Sequence, residues 1–121
     1  MNPVLPFITD NEAAKMIGTS DLVIAVDFHN PDHCNAPMTL ERAKKVILID
    51  HHRRSDKFID NPLLVYVETS ASSTSELITE FLPYVSSKVT VSEQEATILY
   101  LGILIDTNRF RKRKVLILWQ K

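Results

Sequence analysis

Two short apolar runs organise the chain. Leu22-Val23-Ile24-Ala25-Val26 lies between Asp21 and Asp27, and Val46-Ile47-Leu48-Ile49 ends at Asp50. Runs of this length, rich in β-branched residues, predict strands buried on both faces. A third strand is predicted over Leu63–Val67, after Asn61-Pro62. Helices announce themselves by their starts: Thr9-x-x-Glu12, Ser73-x-x-Glu76 and Ser92-x-x-Glu95 all have the spacing of a capping box. The first opens a short helix that Gly18 would close in a left-handed cap. The second runs through Leu77, Ile78 and Phe81 and stops before Pro83. The third opens the run Ala96 to Ile105, apolar almost all round and therefore expected to be buried on most faces. His29 to Pro37, with two prolines and two asparagines, reads as a loop, and a short helix around Leu40–Lys44 follows it. Strands alternating with helices through short links predict an α/β fold, a parallel sheet with flanking helices and right-handed crossovers.

Composition narrows the class. With 121 residues, 45% hydrophobic and 24% charged, the chain is one ordinary globular domain or a piece of a larger one. No apolar run reaches the roughly 18–20 residues of a membrane span. The start, Met1 to Pro6, lacks the basic and apolar regions of a signal peptide. The single cysteine, Cys34, excludes an internal disulfide framework, so a cytoplasmic location is expected. The net charge of −1 is unevenly spread: six basic residues and no acid lie from Arg109 to Lys121. The remaining 8 basic side chains face 15 acidic ones, a balance of −7. Such a body argues against a broad nucleic-acid footprint, and a phosphate ligand bound to it calls for a neutralising group other than Lys and Arg, a divalent ion being the obvious candidate.

The polar residues then fall in a telling place. In an open parallel sheet, ligands gather at the carboxyl ends of the strands. The first strand ends in Asp27-Phe28-His29 and the second in Asp50-His51-His52-Arg53-Arg54. The short link between them predicts neighbouring strands, so both groups share one sheet edge. All four histidines follow these strands, and the apolar helix delivers a third carboxylate, Asp106. Carboxylates with imidazoles and no thiolate suit Mn²⁺, with Mg²⁺ or Co²⁺ as options. A carboxylate bridging two ions about 3.5–4 Å apart would place a shared hydroxide in line with phosphorus. Each residue also has a plain structural reading: Asp27 and Asp106 as turn formers or caps, His51 and His52 as exposed loop residues. A zinc site of His29, His33 and Cys34 is a further grouping, without a second ligand pair at finger-like spacing.

Val46-Ile47-Leu48-Ile49-Asp50-His51-His52-Arg53-Arg54 resembles the signature of the DHH phosphoesterase superfamily. Three further segments agree in order: Val23-Ile24-Ala25-Val26-Asp27, Ala71-Ser72-Ser73-Thr74-Ser75-Glu76-Leu77, and Leu101-Gly102-Ile103-Leu104-Ile105-Asp106-Thr107. Asp50-His51-His52-Arg53-Arg54 with Phe58-Ile59-Asp60-Asn61-Pro62 is most similar to the GdpP-type cyclic-di-AMP phosphodiesterases. The resemblance implies a metal-dependent phosphodiesterase that hydrolyses cyclic-di-AMP or a related oligonucleotide through a metal-bound hydroxide, with two Mn²⁺ ions in the complete site. Asp27 would be the bridging ligand, and His51 and Asp106 would complete one metal's shell. Asp50 would orient the histidines, and His52 would hydrogen-bond the phosphate. Ser72 and Ser73 would offer a helix start to phosphate, brace the loop, or serve as an ordinary N-cap. Arg53 and Arg54 would meet substrate phosphate or form exposed ion pairs.

Two departures accompany the likeness. The family's first motif, His-x-x-x-Asp-x-Asp, has no counterpart before Asp21, and beyond Phe110 the chain turns to the basic and apolar tail 111–121. Residues 1–110 therefore read as a partial DHH phosphoesterase domain of a longer enzyme, whose parent could be membrane-anchored elsewhere. Activity of this chain alone is expected to be much reduced or absent. The alternatives are an inactive remnant or interaction module, and a RecJ-like single-strand nucleic-acid exonuclease fragment, to which the basic tail would add binding. Val115-Leu116-Ile117-Leu118 reads either as an extra strand or as an exposed aggregation-prone segment.

Overall fold

The first helix forms where its capping box predicts it. In the computed structural model, which describes residues 7–109, Thr9 Oγ1 accepts the Glu12 N–H while the Glu12 carboxylate accepts the Thr9 N–H at 2.8 Å. Helix α1 spans Asp10–Met16. It closes at Ile17 in an extended conformation, so Gly18 is not the left-handed cap its position suggested. Gly18 N–H donates instead to Asp21 Oδ2 at 2.6 Å.

Asp10 also starts a second helix. Helix α2, Pro37–Arg42, begins earlier than the sequence indicated because Pro37 fits the first turn, where no N–H is needed. Its N-cap, Ala36, has no capping side chain. The Asp10 carboxylate supplies the cap from across the fold, accepting from the N–H groups of Met38 (3.0 Å) and Thr39 (2.9 Å) and from Thr39 Oγ1 (2.7 Å). Arg42 Nη1 reciprocates on the Ala14 carbonyl at 2.7 Å. Desolvation pushes the Asp10 carboxyl up, but the bonds from Thr39 and Met38 outweigh it and hold its pKa below the ordinary 3.8. A depressed carboxyl stabilises the fold above its unfolded pKa and loses that contribution as pH falls through its folded one. Asp10→Ala should therefore melt below the wild-type chain at pH 7. The gap should close as pH drops below 3.8 in a series of thermal melts.

Strands β1 (Val23–Val26), β2 (Val46–Asp50) and β3 (Leu64–Val67) form a parallel sheet in the order β1-β2-β3. Val26 pairs with Ile49, and Asp27 N–H donates to the Ile49 carbonyl at 3.0 Å. This register sets Asp27 beside the end of β2. One face of the sheet packs Ala25, Val46 and Leu48 against Ile59, with Val23, Phe28, Leu40 and Phe58 around them. On the other face, Ile49 packs against Ala71 and Leu77.

Among the described residues, only β2 is covered on both sides. Ile24 and Val26 of β1 lie on the face of Ile47 and Ile49, yet remain 55% and 44% exposed. Helix α3 (Thr74–Val85) sits over β2 and stops short of them. The expectation of a doubly buried β1 is corrected accordingly. Helix α3 also continues through Pro83, which falls in its last turn and forfeits a single intrahelical bond. Helix α4 (Glu93–Asp106) has the reciprocal Ser92–Glu95 box but no buried residue; Ile105 is 77% exposed. Its main packing partner among the described residues is α3, so the predicted burial on most faces is not observed. No described helix is long and apolar enough to cross a membrane. The tail, including Val115–Leu118, lies outside the described residues.

Candidate metal centre

Three elements deliver the candidate residues to one end of the sheet. Asp27 follows β1 in a left-handed conformation, φ 69°, which aspartate adopts more readily than most residues. Thr74, at the first position of α3, donates its hydroxyl to Asp27 Oδ1 at 2.8 Å and fixes the carboxylate's orientation. His51 follows β2, and its Nε2 lies 3.5 Å from Asp27 Oδ1. The same nitrogen lies 3.6 Å from Asp106 Oδ2, at the last residue of α4. Asp27, His51 and His52 each offer one ligand atom within 4.8 Å of the others. Asp106 thus reaches the group through His51, while His52 stands inside it. Two carboxylates and two imidazoles form a hard-to-borderline donor set that suits a divalent first-row ion.

Asp50 lies behind this group and is fully buried. Its Oδ1 accepts from the N–H of His51 (2.8 Å), the N–H of His52 (3.3 Å) and His52 Nδ1 (2.7 Å). Its Oδ2 accepts from His29 Nδ1 at 2.6 Å. Burial pushes the Asp50 carboxyl up, but hydrogen bonds from the side chains of His29 and His52 carry it below its ordinary value. Because a carboxylate only accepts, the His52 proton is assigned to Nδ1, and Nε2 is left to face a ligand. A cavity of about 360 Å³ opens here, lined by Asp27, Asn30, His33, His52 and Arg53 among others.

The remaining sequence candidates separate by geometry. Arg53 lines the cavity; Arg54 turns away, its guanidinium 4.5 Å from the Phe58 ring centre. Ser73 is the N-cap of α3, its hydroxyl accepting from Glu76 N–H at 3.0 Å. Ser72 gives its N–H (2.7 Å) and hydroxyl to the Glu76 carboxylate, so only half of the expected Ser73–Glu76 box forms. Both serines are buried and committed to the helix start. The His29-His33-Cys34 grouping is not assembled as a site. His29 is tied to Asp50 and Ser55, and Cys34 Sγ accepts the Ala36 N–H at 3.3 Å. Sequence reasoning gave no part to Thr74 and placed His29 only in a minor zinc grouping, because their partners lie 47 and 21 residues away.

The chain belongs to the DHH family: the description "DHH family, N-terminal domain" matches residues 2–103. Among its relatives, the cyclic-di-AMP phosphodiesterase GdpP of Geobacillus thermodenitrificans is 45% identical over 106 residues, covering 88% of this chain and 16% of that protein. The cyclic-di-AMP phosphodiesterase PdeA of Listeria monocytogenes is 40% identical over 112 residues, 93% of this chain and 17% of the relative. A probable bifunctional oligoribonuclease and PAP phosphatase NrnA of Streptococcus mutans is 43% identical over 89 residues, 74% of this chain and 27% of the relative. The chain thus spans about a sixth of the length of the first two. An exopolyphosphatase-related protein from Bacteroides fragilis shares the fold with a TM-score of 0.73 at 23% identity, over 87% of this chain and 31% of that one.

Proposed function

We propose that this chain is the metal-binding core of a phosphodiester hydrolase acting on cyclic-di-AMP or a short oligonucleotide, with Mn²⁺ as the ion. The observation that carries this reading is the convergence of Asp27, His51 and His52 at the carboxyl ends of β1 and β2. Asp27, His51 and Asp106 would hold the ion. When bound, it supplies charge neutralisation at the phosphate and activation of the attacking water. The protein's own groups do the rest. Thr74 holds Asp27 in one orientation, and Asp50 holds the His52 ring with Nε2 toward the cavity. His52 would hydrogen-bond a phosphate oxygen through Nε2, the ring held in place by Asp50 at Nδ1. Arg53 adds a cation on the same wall. The free Cys34 supports a reducing, cytoplasmic setting.

Turnover of cyclic-di-AMP in Mn²⁺ tests the proposal. Asp27→Asn tolerates the left-handed backbone and removes the charge. Slow hydrolysis by the wild-type chain should fall at least about a hundredfold in the variant, since losing an ion's grip removes several kcal/mol of transition-state stabilisation. Equal rates in the two proteins would remove Asp27 from the reaction.

A further inference from the structure

His29 is almost fully buried, 4% exposed, and is surrounded by defined partners. The backbone N–H of Ser55 donates to its Nε2 at 2.9 Å. A ring nitrogen that accepts carries no proton, so the proton of the neutral ring is on Nδ1, which faces Asp50 Oδ2 at 2.6 Å. The Ser55 hydroxyl, 3.0 Å from the same Nε2, is directed to the Lys57 carbonyl at 2.8 Å. Phe58 stacks on the ring with centres 5.3 Å apart. The imidazole is thus clamped at both nitrogens and on one face.

From this geometry we infer that His29 is a positioning residue of the metal centre: by donating from Nδ1 it locks one oxygen of Asp50, leaving the other to fix the His51–His52 turn and the His52 ring. A relay Ser55–His29–Asp50–His52 then joins the loop after β1 to the loop after β2. Without the Nδ1 donor, Asp50 can rotate about its side chain, and the three donors on Oδ1 lose their common acceptor position. Partners that stand behind metal ligands act in this way, and their loss typically costs about 10–100-fold in metal affinity or activity.

The relay's geometry stands on hydrogen bonds alone; its effect on metal affinity rests on the proposed metal centre. Two substitutions separate placement of the donor from polarity and volume. The side-chain amide nitrogen of His29→Asn falls where Nδ1 lies, whereas that of His29→Gln falls near the Nε2 position. Mn²⁺ titration should give His29→Asn within about threefold of the wild-type affinity and His29→Gln at least about tenfold weaker. A role in filling space alone favours glutamine, the larger side chain, so Gln binding as well as Asn overturns the inference. Long-range ¹H–¹⁵N spectra of the wild-type chain provide a readout that needs no metal. His29 should appear as the Nδ1–H tautomer with a bare Nε2, and an Nε2–H tautomer overturns the inference whatever the variants do. Absence of Mn²⁺ binding by the wild-type chain would count against the metal centre itself, and the spectra would still judge His29.

Discussion

Asp50→Leu is expected to destabilise the chain by about 3–5 kcal/mol, a large part of the roughly 5–15 kcal/mol that holds a domain folded. The carboxylate is fully buried and accepts four hydrogen bonds, from His29 Nδ1, His52 Nδ1 and the N–H groups of His51 and His52. Leucine keeps its branched shape, with bulkier methyl groups, and removes every acceptor. His29 suffers most, because its Nδ1–H is itself buried and, among the described residues, bonds to Asp50 alone. A buried donor left unpaired costs about 1–3 kcal/mol, and the N–H groups of the turn add to it only as far as water fails to reach them. Urea unfolding should show a lower midpoint with an unchanged slope. A loss below about 1 kcal/mol would mean that the turn holds itself without the aspartate.

Gly102→Ala is expected to loosen the metal centre from a distance. Helix α4 meets α3 at Gly102, where a methyl group would overlap the Ser75 hydroxyl and come within 3.0 Å of Ser75 Cβ. The hydroxyl can rotate away, but Cβ cannot, so the helices must separate by a few tenths of an ångström. Two effects oppose each other. Alanine improves helix propensity by about 1 kcal/mol, while overpacking costs about 1–3 kcal/mol, so net stability falls by about 0–2 kcal/mol. Asp106 lies one turn further along the same helix and moves with it, away from His51 Nε2. Mn²⁺ affinity should therefore fall at least about tenfold. Ser75→Gly in the same chain should restore much of the affinity, since the pair is in direct contact and couples. Unchanged affinity in Gly102→Ala would show that Asp106 takes no part in holding the ion.

The parts of this architecture that were legible in the sequence are those written locally. The apolar runs ending in Asp27 and Asp50 specify two parallel strands, and the Thr9–Glu12 and Ser92–Glu95 pairs place two helix starts within a residue. Burial was not legible, because an apolar sequence states what a helix or strand can cover and not what is there to cover it. Ile24, Val26 and Ile105 are as apolar as Leu48, yet of the four only Leu48 is buried. Helix ends misled where a distant group intervened, as Asp10 does for α2, or where a proline fell in a last turn, as Pro83 does in α3. Asp27, the Asp50–His52 run and Asp106 were read as one cluster from their places at the ends of elements, and the family resemblance singled out Asp27, His51 and Asp106 as ligands. The hydrogen bonds from Thr74 and His29 that orient the cluster depend on pairings across the sheet that no spacing announces.

Calorimetric titration of Mn²⁺ into the chain and into Asp27→Asn bears most directly on whether these side chains grip an ion together. The expected result is a saturable binding heat for the wild-type chain and affinity at least about tenfold lower for the variant. No heat from the wild-type chain at millimolar Mn²⁺, or the same affinity in both proteins, would contradict it.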